Sequence, residues 1–150
     1  MSRVNLVIAT QEDKEDILDL LHEFFLESPY RGEVFEEDKV STLVDRYISD
    51  LDKLILLSKK DGESTGIVVG HCHEFLFNHS KICTETVWFV KEGHRKGSVG
   101  IRLKKAFEYW AFEVMGAEKL AMSHLNTPRI GRFYEKNGFT KLEETYLKEK

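Results

Sequence analysis

From Ile82 to Leu103 the chain reads I-C-T-E-T-V-W-F-V, then K-E-G-H, then R-K-G-S-V-G, then I-R-L. The β-branched and aromatic run Ile82–Val90 has the composition of a strand. A polar segment follows, then a glycine-bearing turn loaded with Arg95 and Lys96, and then an amphipathic helix predicted from about Ser98 to Met115. The first-turn N–H groups of a helix have no partner inside it, and the helix dipole favours negative charge there. A strand that feeds a basic turn at a helix start is therefore a place to hold an anion, and a phosphate-bearing ligand above all. The plainer alternative is a flexible helix start whose charges are simply solvated.

Two well-known phosphate loops do not fit. Gly93, Gly97 and Gly100 lack the spacing of G-x-G-x-x-G, and Lys96 precedes Gly97 where G-x-x-x-x-G-K-[ST] needs its lysine after the second glycine. The pattern that fits is R-x-x-G-x-G with one substitution, Arg95-Lys96-Gly97-Ser98-Val99-Gly100, in which Ser98 stands at a glycine position. Serine is a good helix N-cap, so the change is compatible with the same turn.

Size and composition set the outer limits. The 150 residues fit one domain with a sizeable core, and 41% hydrophobic with 32% charged residues is the balance of a globular protein. No apolar run approaches the roughly 20 residues of a membrane span. The start, M-S-R-V-N-L, is not a secretory leader. Cys72 and Cys83 read as small buried residues of a reducing compartment, which predicts a cytoplasmic location. Charge divides along the chain: residues 1–90 hold 9 Lys+Arg against 18 Asp+Glu, and residues 91–150 hold 13 against 8. The basic half suits a polyphosphate ligand, and the acidic half would attract a cationic second substrate or merely solvate surface helices. Nucleic acid is not expected: the net charge is −4 and no basic stripe carries interleaved aromatics.

Periodicity and turn signals lay out the remaining elements. Val4–Ala9 is a strand. Thr10 and Asp13 begin a helix that runs to about Glu27, with Ile17, Leu18, Leu20, Leu21, Phe24 and Phe25 on its inward stripe. Ser28 to Gly32 breaks it. A second helix spans about Glu36 to Ser49. Strands follow at Leu54–Ser58, Thr65–Phe77 and Ile82–Val90, the first two joined by a Lys60–Glu63 turn with a D-G signal. After the central helix come a strand at Lys119–Leu125, a short helix from Pro128 to about Asn137 and a last strand at Phe139–Leu147. The order β-α-α-β-β-β-α-β-α-β predicts an α/β (α+β) fold: a mixed, mostly antiparallel sheet with helices on both faces, formed by residues 1–150 as a single domain.

The basic turn resembles the pyrophosphate arm of the GNAT superfamily of acetyl-CoA-dependent N-acetyltransferases, and the element order is that superfamily's order. R-F-Y-E-K-N-G-F, Arg132 to Phe139, is similar to its closing motif, with Asn126 standing eight residues before Tyr134. E-S-P-Y, T-E-T-V-W-F-V and G-I-R-L look most like small members from phages and bacteria. The resemblance implies transfer of an acetyl group from acetyl-CoA, as co-substrate, to an amine by direct attack on the thioester. It implies that the N–H groups of Lys96, Gly97, Ser98, Val99, Gly100 and Ile101 wrap the pyrophosphate. Arg95 and Lys96 would add charge there, and Arg102 would reach the adenosine phosphates. Phe89, Val90 and Lys91 would pair their backbone with the pantetheine arm, and Asn126 would hold the cofactor. A GNAT-fold coenzyme A-binding or protein-interaction module without turnover is the alternative, and an unrelated nucleotide binder a third reading.

Two residues stand out for the chemistry. Glu85 is the only acid in an apolar, threonine-rich strand. Alternation puts it on one face with Val87 and Phe89, opposite Thr84, Thr86 and Trp88. It either faces solvent or is partly desolvated, which would raise its pKa and make it a better base for the amine proton. Tyr134 is the candidate acid: a phenol, with an ordinary pKa near 10 against about 8.5 for a thiol, could protonate a forming thiolate at the sulfur or hydrogen-bond to it. The bland alternative for Tyr134 is a hydroxyl in solvent on a packed helix. Tyr30 and Phe35, in the loop between the first two helices, and His73 are candidate acceptor-pocket residues, with Glu33, Glu36 and Glu37 nearby to select a cationic amine. His71 and His73 share a strand face but have no third ligand at a known spacing, so no metal site is expected. The amine itself is not legible. Dimerisation is common in the family, and the sequence does not decide it.

Overall fold

The computed structural model describes residues 3–150. The chain forms β1 (Val4–Ile8), α1 (Lys14–Glu27), α2 (Glu37–Ser49), β2 (Lys53–Lys60), β3 (Glu63–Glu74), β4 (Lys81–Val90), α3 (Val99–Tyr109), β5 (Lys119–Ala121) and α4 (Pro128–Lys136). The sheet has five strands in sequential order, antiparallel from β1 to β4 and parallel between β4 and β5. That is the mixed, mostly antiparallel sheet expected.

Local chemistry explains the elements. The Thr10 N–H donates to Asp13 Oδ2 at 2.9 Å, which caps the entry to α1. Asp61 (φ 53°) and Gly62 (φ 80°) make the tight β2–β3 turn with both central residues left-handed, the geometry that the D-G pair permits. Side-chain alternation then divides the core. Leu54, Leu56, Val68, Cys72 and Cys83 face α3 through Leu103, Phe107, Trp110 and Ala111. Ile55, Leu57, Ile67, Val69 and Phe89 face α1 and α2 through Ile17, Leu20 and Val44. Burying each such side chain stabilises the fold by roughly 1.5–3 kcal/mol. Phe107 lies so close to β3 that a Cβ at Gly70 would overlap its ring.

Two expectations are corrected. The strand after α3 stops at Ala121 instead of Leu125, because it pairs with β4 only from Ile82↔Lys119 to Thr84↔Ala121 and then diverges. The last strand, Phe139–Leu147, does not form; with β5 cut short, the segment has no neighbour to pair with, and Leu142, Tyr146 and Leu147 are exposed. The central helix runs on from Tyr109 through one wider turn, Trp110–Val114, and so spans close to the length expected. Cys72 and Cys83 are buried, as expected, and stand side by side as direct register partners on β3 and β4.

Candidate active site

The site lies where β4 loses its neighbour. Through Thr84 the strand is paired on both sides; from Glu85 onward only β3 remains. At this point β4 also carries a bulge. Val87 pairs with Val69, but Glu85 pairs with Gly70, so Thr86 is the extra residue. A one-residue insertion reverses alternation, because successive side chains point to opposite faces. Glu85 consequently shares the α3 face with Cys83, while Val87 and Phe89 face α1 and α2. The expected grouping of Glu85 with Val87 and Phe89 is thus corrected by the bulge.

Glu85 is 6% exposed. Burial pushes its pKa up to about 7; a hydrogen bond from the Ser123 N–H to Oε1, 3.2 Å long, only partly offsets the rise. Tyr134 is also 6% exposed, and its hydroxyl donates to the Ser123 carbonyl at 2.9 Å. Burial first, and then the charge of Glu85, hold the phenol protonated well above its ordinary pKa. One residue of the segment after β5 therefore ties both candidate groups together, the carboxylate through its N–H and the phenol through its C=O. Packing fixes the rest. The Trp88 ring lies 6.1 Å from both Phe133 and Tyr134, and its Nε1 donates to the Gly100 carbonyl at 3.0 Å. Lys104, buried on α3 and paired with Glu108, places its ammonium 5.6 Å from the Phe133 ring centroid and 5.3 Å from that of Phe139. These contacts clamp α4, and with it Tyr134, onto α3 and β4.

At the end of β4 the chain makes one 3₁₀ turn, Glu92–His94, and enters α3 at Val99. The first bond back into the helix is from Arg102 N to Ser98 O, 2.9 Å. The N–H groups of Val99, Gly100 and Ile101 are thus the free donors of the first turn. Gly97 has φ 111°, a conformation side chains rarely adopt. Lys96, Gly97 and Ser98 are exposed beside those donors, and the geometry is that of an anion-binding helix start.

A family model described as the acetyltransferase (GNAT) family matches residues 15–139. The chain belongs to that family. Acetyl-CoA-dependent N-acetyl transfer is the activity that membership gives it. No curated protein matches the chain in sequence. Among solved structures, an aminoglycoside N-acetyltransferase AAC(6')-Iy in complex with CoA superposes with a TM-score of 0.80 at 16% identity, covering 100% of this chain and 96% of that one. A ribosomal-protein-alanine N-acetyltransferase from Brucella melitensis gives 0.75 at 17% identity, over 98% and 99% of the two chains. An aminoglycoside 6'-N-acetyltransferase AAC(6')-Ih from Acinetobacter baumannii gives 0.76 at 18%, over 99% and 98%. At these identities the likeness is one of fold.

Several residues expected in the GNAT site are engaged elsewhere. Arg95 turns toward α1: its NH2 group donates to Glu27 Oε1 at 2.7 Å, its Nε donates to the Val90 carbonyl at 2.7 Å, and its guanidinium covers the Phe89 ring. Arg102 donates to the Val4 carbonyl at 3.0 Å. The Lys91 N–H donates to Thr65 O at 2.9 Å, so the Val90 C=O and the Lys91 N–H, two backbone groups expected to meet pantetheine, already have partners. Asn126 takes a left-handed turn (φ 55°) and is exposed. Phe35 packs on His22 and Phe25 of α1, with centroids at 4.8 and 5.3 Å, and Tyr30 is 46% exposed; neither touches Glu85. His73 stacks on His71 at 5.5 Å, and His71 lies 3.3 Å from the Tyr47 hydroxyl. Among the described residues no cluster of metal-binding side chains occurs, and no helix is long and apolar enough to cross a membrane. Ser123 and Trp88 are the site residues that sequence reasoning missed. Ser123 acts through its backbone and left no sequence signal; the signal for Trp88 was an indole in a strand leading to the turn.

Proposed function

We propose that acetyl-CoA lies along the gap between β4 and the segment following β5, with its pyrophosphate on the N–H groups of Lys96–Ile101. An amine attacks the thioester carbon directly. The C–N bond forms, the C–S bond breaks, Glu85 takes the amine proton, and Tyr134 supplies a proton to the departing thiolate. The observation that carries this reading is the junction of Glu85 and Tyr134 at Ser123, where β4 parts from β5. A carboxyl near pKa 7 is well matched to a general base at neutral pH. The phenol, held protonated, can donate a hydrogen bond to the forming thiolate, and its raised pKa makes full proton transfer the more demanding of the two. To reach the sulfur, the Tyr134 proton must leave the Ser123 carbonyl, so coenzyme A binding and a small shift of α4 belong together.

Phe89, Val90 and Lys91 border the pantetheine arm in this reading, Asn126 lies at the far wall, and Tyr30, Phe35 and His73 form the outer rim for the amine. The domain covers residues 1–150 and needs no metal. Kinship with the small phage and bacterial members, and a cytoplasmic location, belong to the same proposal. So does a homodimer, which the uncovered outer edge of β5 and the unpaired segment 139–147 support. One observation favours the alternative of a coenzyme A-binding module without turnover: the Tyr134 hydroxyl is already committed to Ser123. Two measurements decide. Coenzyme A, but not ATP or NAD, should raise the melting temperature. An acetyl-CoA consumption screen across amine classes should find turnover; stabilisation by coenzyme A with no turnover for any amine would leave the binding module.

A further inference from the structure

Opposite Glu85, on the other face of the sheet, α1 and α2 do not close fully onto β2–β4. A cavity of about 140 Å³ remains. Leu21, Val44 and Tyr47 line it from the helices, and Ile55, Val69 and Val87 from the strands. No charged side chain lines it. Leu43, 49% exposed, and Thr86, exposed at the bulge, stand at its rim, so the cavity reaches the surface. Its two side-chain hydroxyls are already engaged: Tyr47 with His71 Nδ1 at 3.3 Å, and Thr86 as donor to the Val69 carbonyl at 3.1 Å. The walls therefore make no demand for a polar partner. An apolar space of this order is large enough for a benzene-sized guest, and an apolar group entering it from water would bury its surface against these walls.

Position turns this cavity into a specificity argument. Thr86 and Val87 line it, and they are the β4 residues next to the point where β5 departs. Resting on the acetyltransferase reading above, we infer that the acceptor is an amine bearing an apolar group of isobutyl to phenyl size, seated in this cavity, with its nitrogen carried past Thr86 into the β4–β5 gap, where Glu85, the preceding residue on β4, takes its proton. Polyamines and other multiply charged amines are poor occupants, because the cavity offers no carboxylate to replace their water. This revises the expectation that Glu33, Glu36 and Glu37 select a cationic substrate: those residues stand on or beside the α1–α2 loop, and none lines the cavity.

The test is a homologous series on the wild-type protein. With acetyl-CoA saturating, kcat/KM should rise by about fourfold for each methylene buried, from ethylamine through isobutylamine to phenethylamine, and phenethylamine should exceed spermidine. Rates that are flat across the series, or highest for spermidine, overturn the inference. Leu43→Trp, at a half-exposed helix position that tolerates the change, should fill the mouth and lower kcat/KM for phenethylamine by roughly tenfold, with a change for ethylamine below roughly threefold. An equal loss for both amines also overturns it. Equilibrium dialysis of phenethylamine against the CoA-loaded protein reads the cavity without turnover. A protein that coenzyme A does not stabilise speaks against the acetyltransferase reading itself; one that binds coenzyme A yet holds ethylamine and phenethylamine equally speaks against the cavity alone.

Discussion

Glu85 and Thr86 are neighbours in sequence and occupy opposite environments. Glu85 is sealed on the α3–α4 face with Tyr134 and Ser123, and its carboxyl is driven up to about 7. Thr86 sits at the rim of an uncharged cavity on the α1–α2 face with its hydroxyl already bonded. A regular strand would also alternate, but it would carry Glu85 to the same side as Val87. The bulge separates them, so that polar chemistry and apolar recognition approach one gap from two sides. One face is built around protons and the other around shape.

The largest effect should come from Glu85→Gln, which keeps the shape and removes the base. At pH 8, kcat/KM should drop by about 10²–10⁴-fold. In the wild type, kcat/KM should rise with pH through an apparent pKa near 7, and the variant should lack that rise. A profile with the same midpoint in the variant would show that another group is the base. Next is stability, where the same substitution acts in the opposite direction. The folded state keeps the Glu85 proton between about 4.5 and 7 and the unfolded chain does not. Ionisation of this carboxyl therefore adds no cost below about pH 4.5, adds more as pH rises, and reaches its full cost above 7. Relative to wild type, Glu85→Gln should gain up to about 3 kcal/mol at pH 8 and little at pH 4. Urea titrations at both pH values check this, and an equal gain at both would mean that the carboxyl is not titrating as its burial implies.

Tyr134→Phe should lower kcat by about ten- to a hundredfold. Its stability should fall by about 1 kcal/mol for the lost bond to Ser123. Turnover equal to wild type for every acceptor would remove Tyr134 as the acid and leave it a packing residue. The smallest effect belongs to the other face. Thr86→Val removes one satisfied hydroxyl and should cost about 1 kcal/mol, without moving the pH midpoint of kcat/KM. If that midpoint shifts with Thr86, the two faces are electrostatically connected and the separation drawn above fails.

Much of the scaffold was legible before any coordinates. The stripe of Ile17, Leu20, Leu21 and Phe24, the D-G turn and the basic helix start each carry a local signal strong enough to survive folding. Glu85 and Tyr134 were legible as residue types, one an isolated acid in a strand, the other part of a motif. What stayed hidden depends on two segments meeting. No local pattern announces that β5 leaves β4 after Ala121, and the Phe139–Leu147 alternation is strand-like although no strand lies beside it. The Ser123 contact is made by backbone, which every residue possesses. Arg95 read as a phosphate ligand because its charge is visible in sequence, while its partner Glu27 lies 68 residues away. The bulge hid best of all, since T-E-T-V alternates well on paper.

That extra residue in β4 bends the strand without moving its neighbours off their partners. Deleting Thr86 would leave Glu85 opposite Gly70 and Val87 opposite Val69, now adjacent and still on opposite faces, in an unbroken ladder. What would go is the kink and the added twist that a bulge imposes, together with one rim residue of the cavity. The strand would straighten at the site while every side chain beyond Thr86 kept its face.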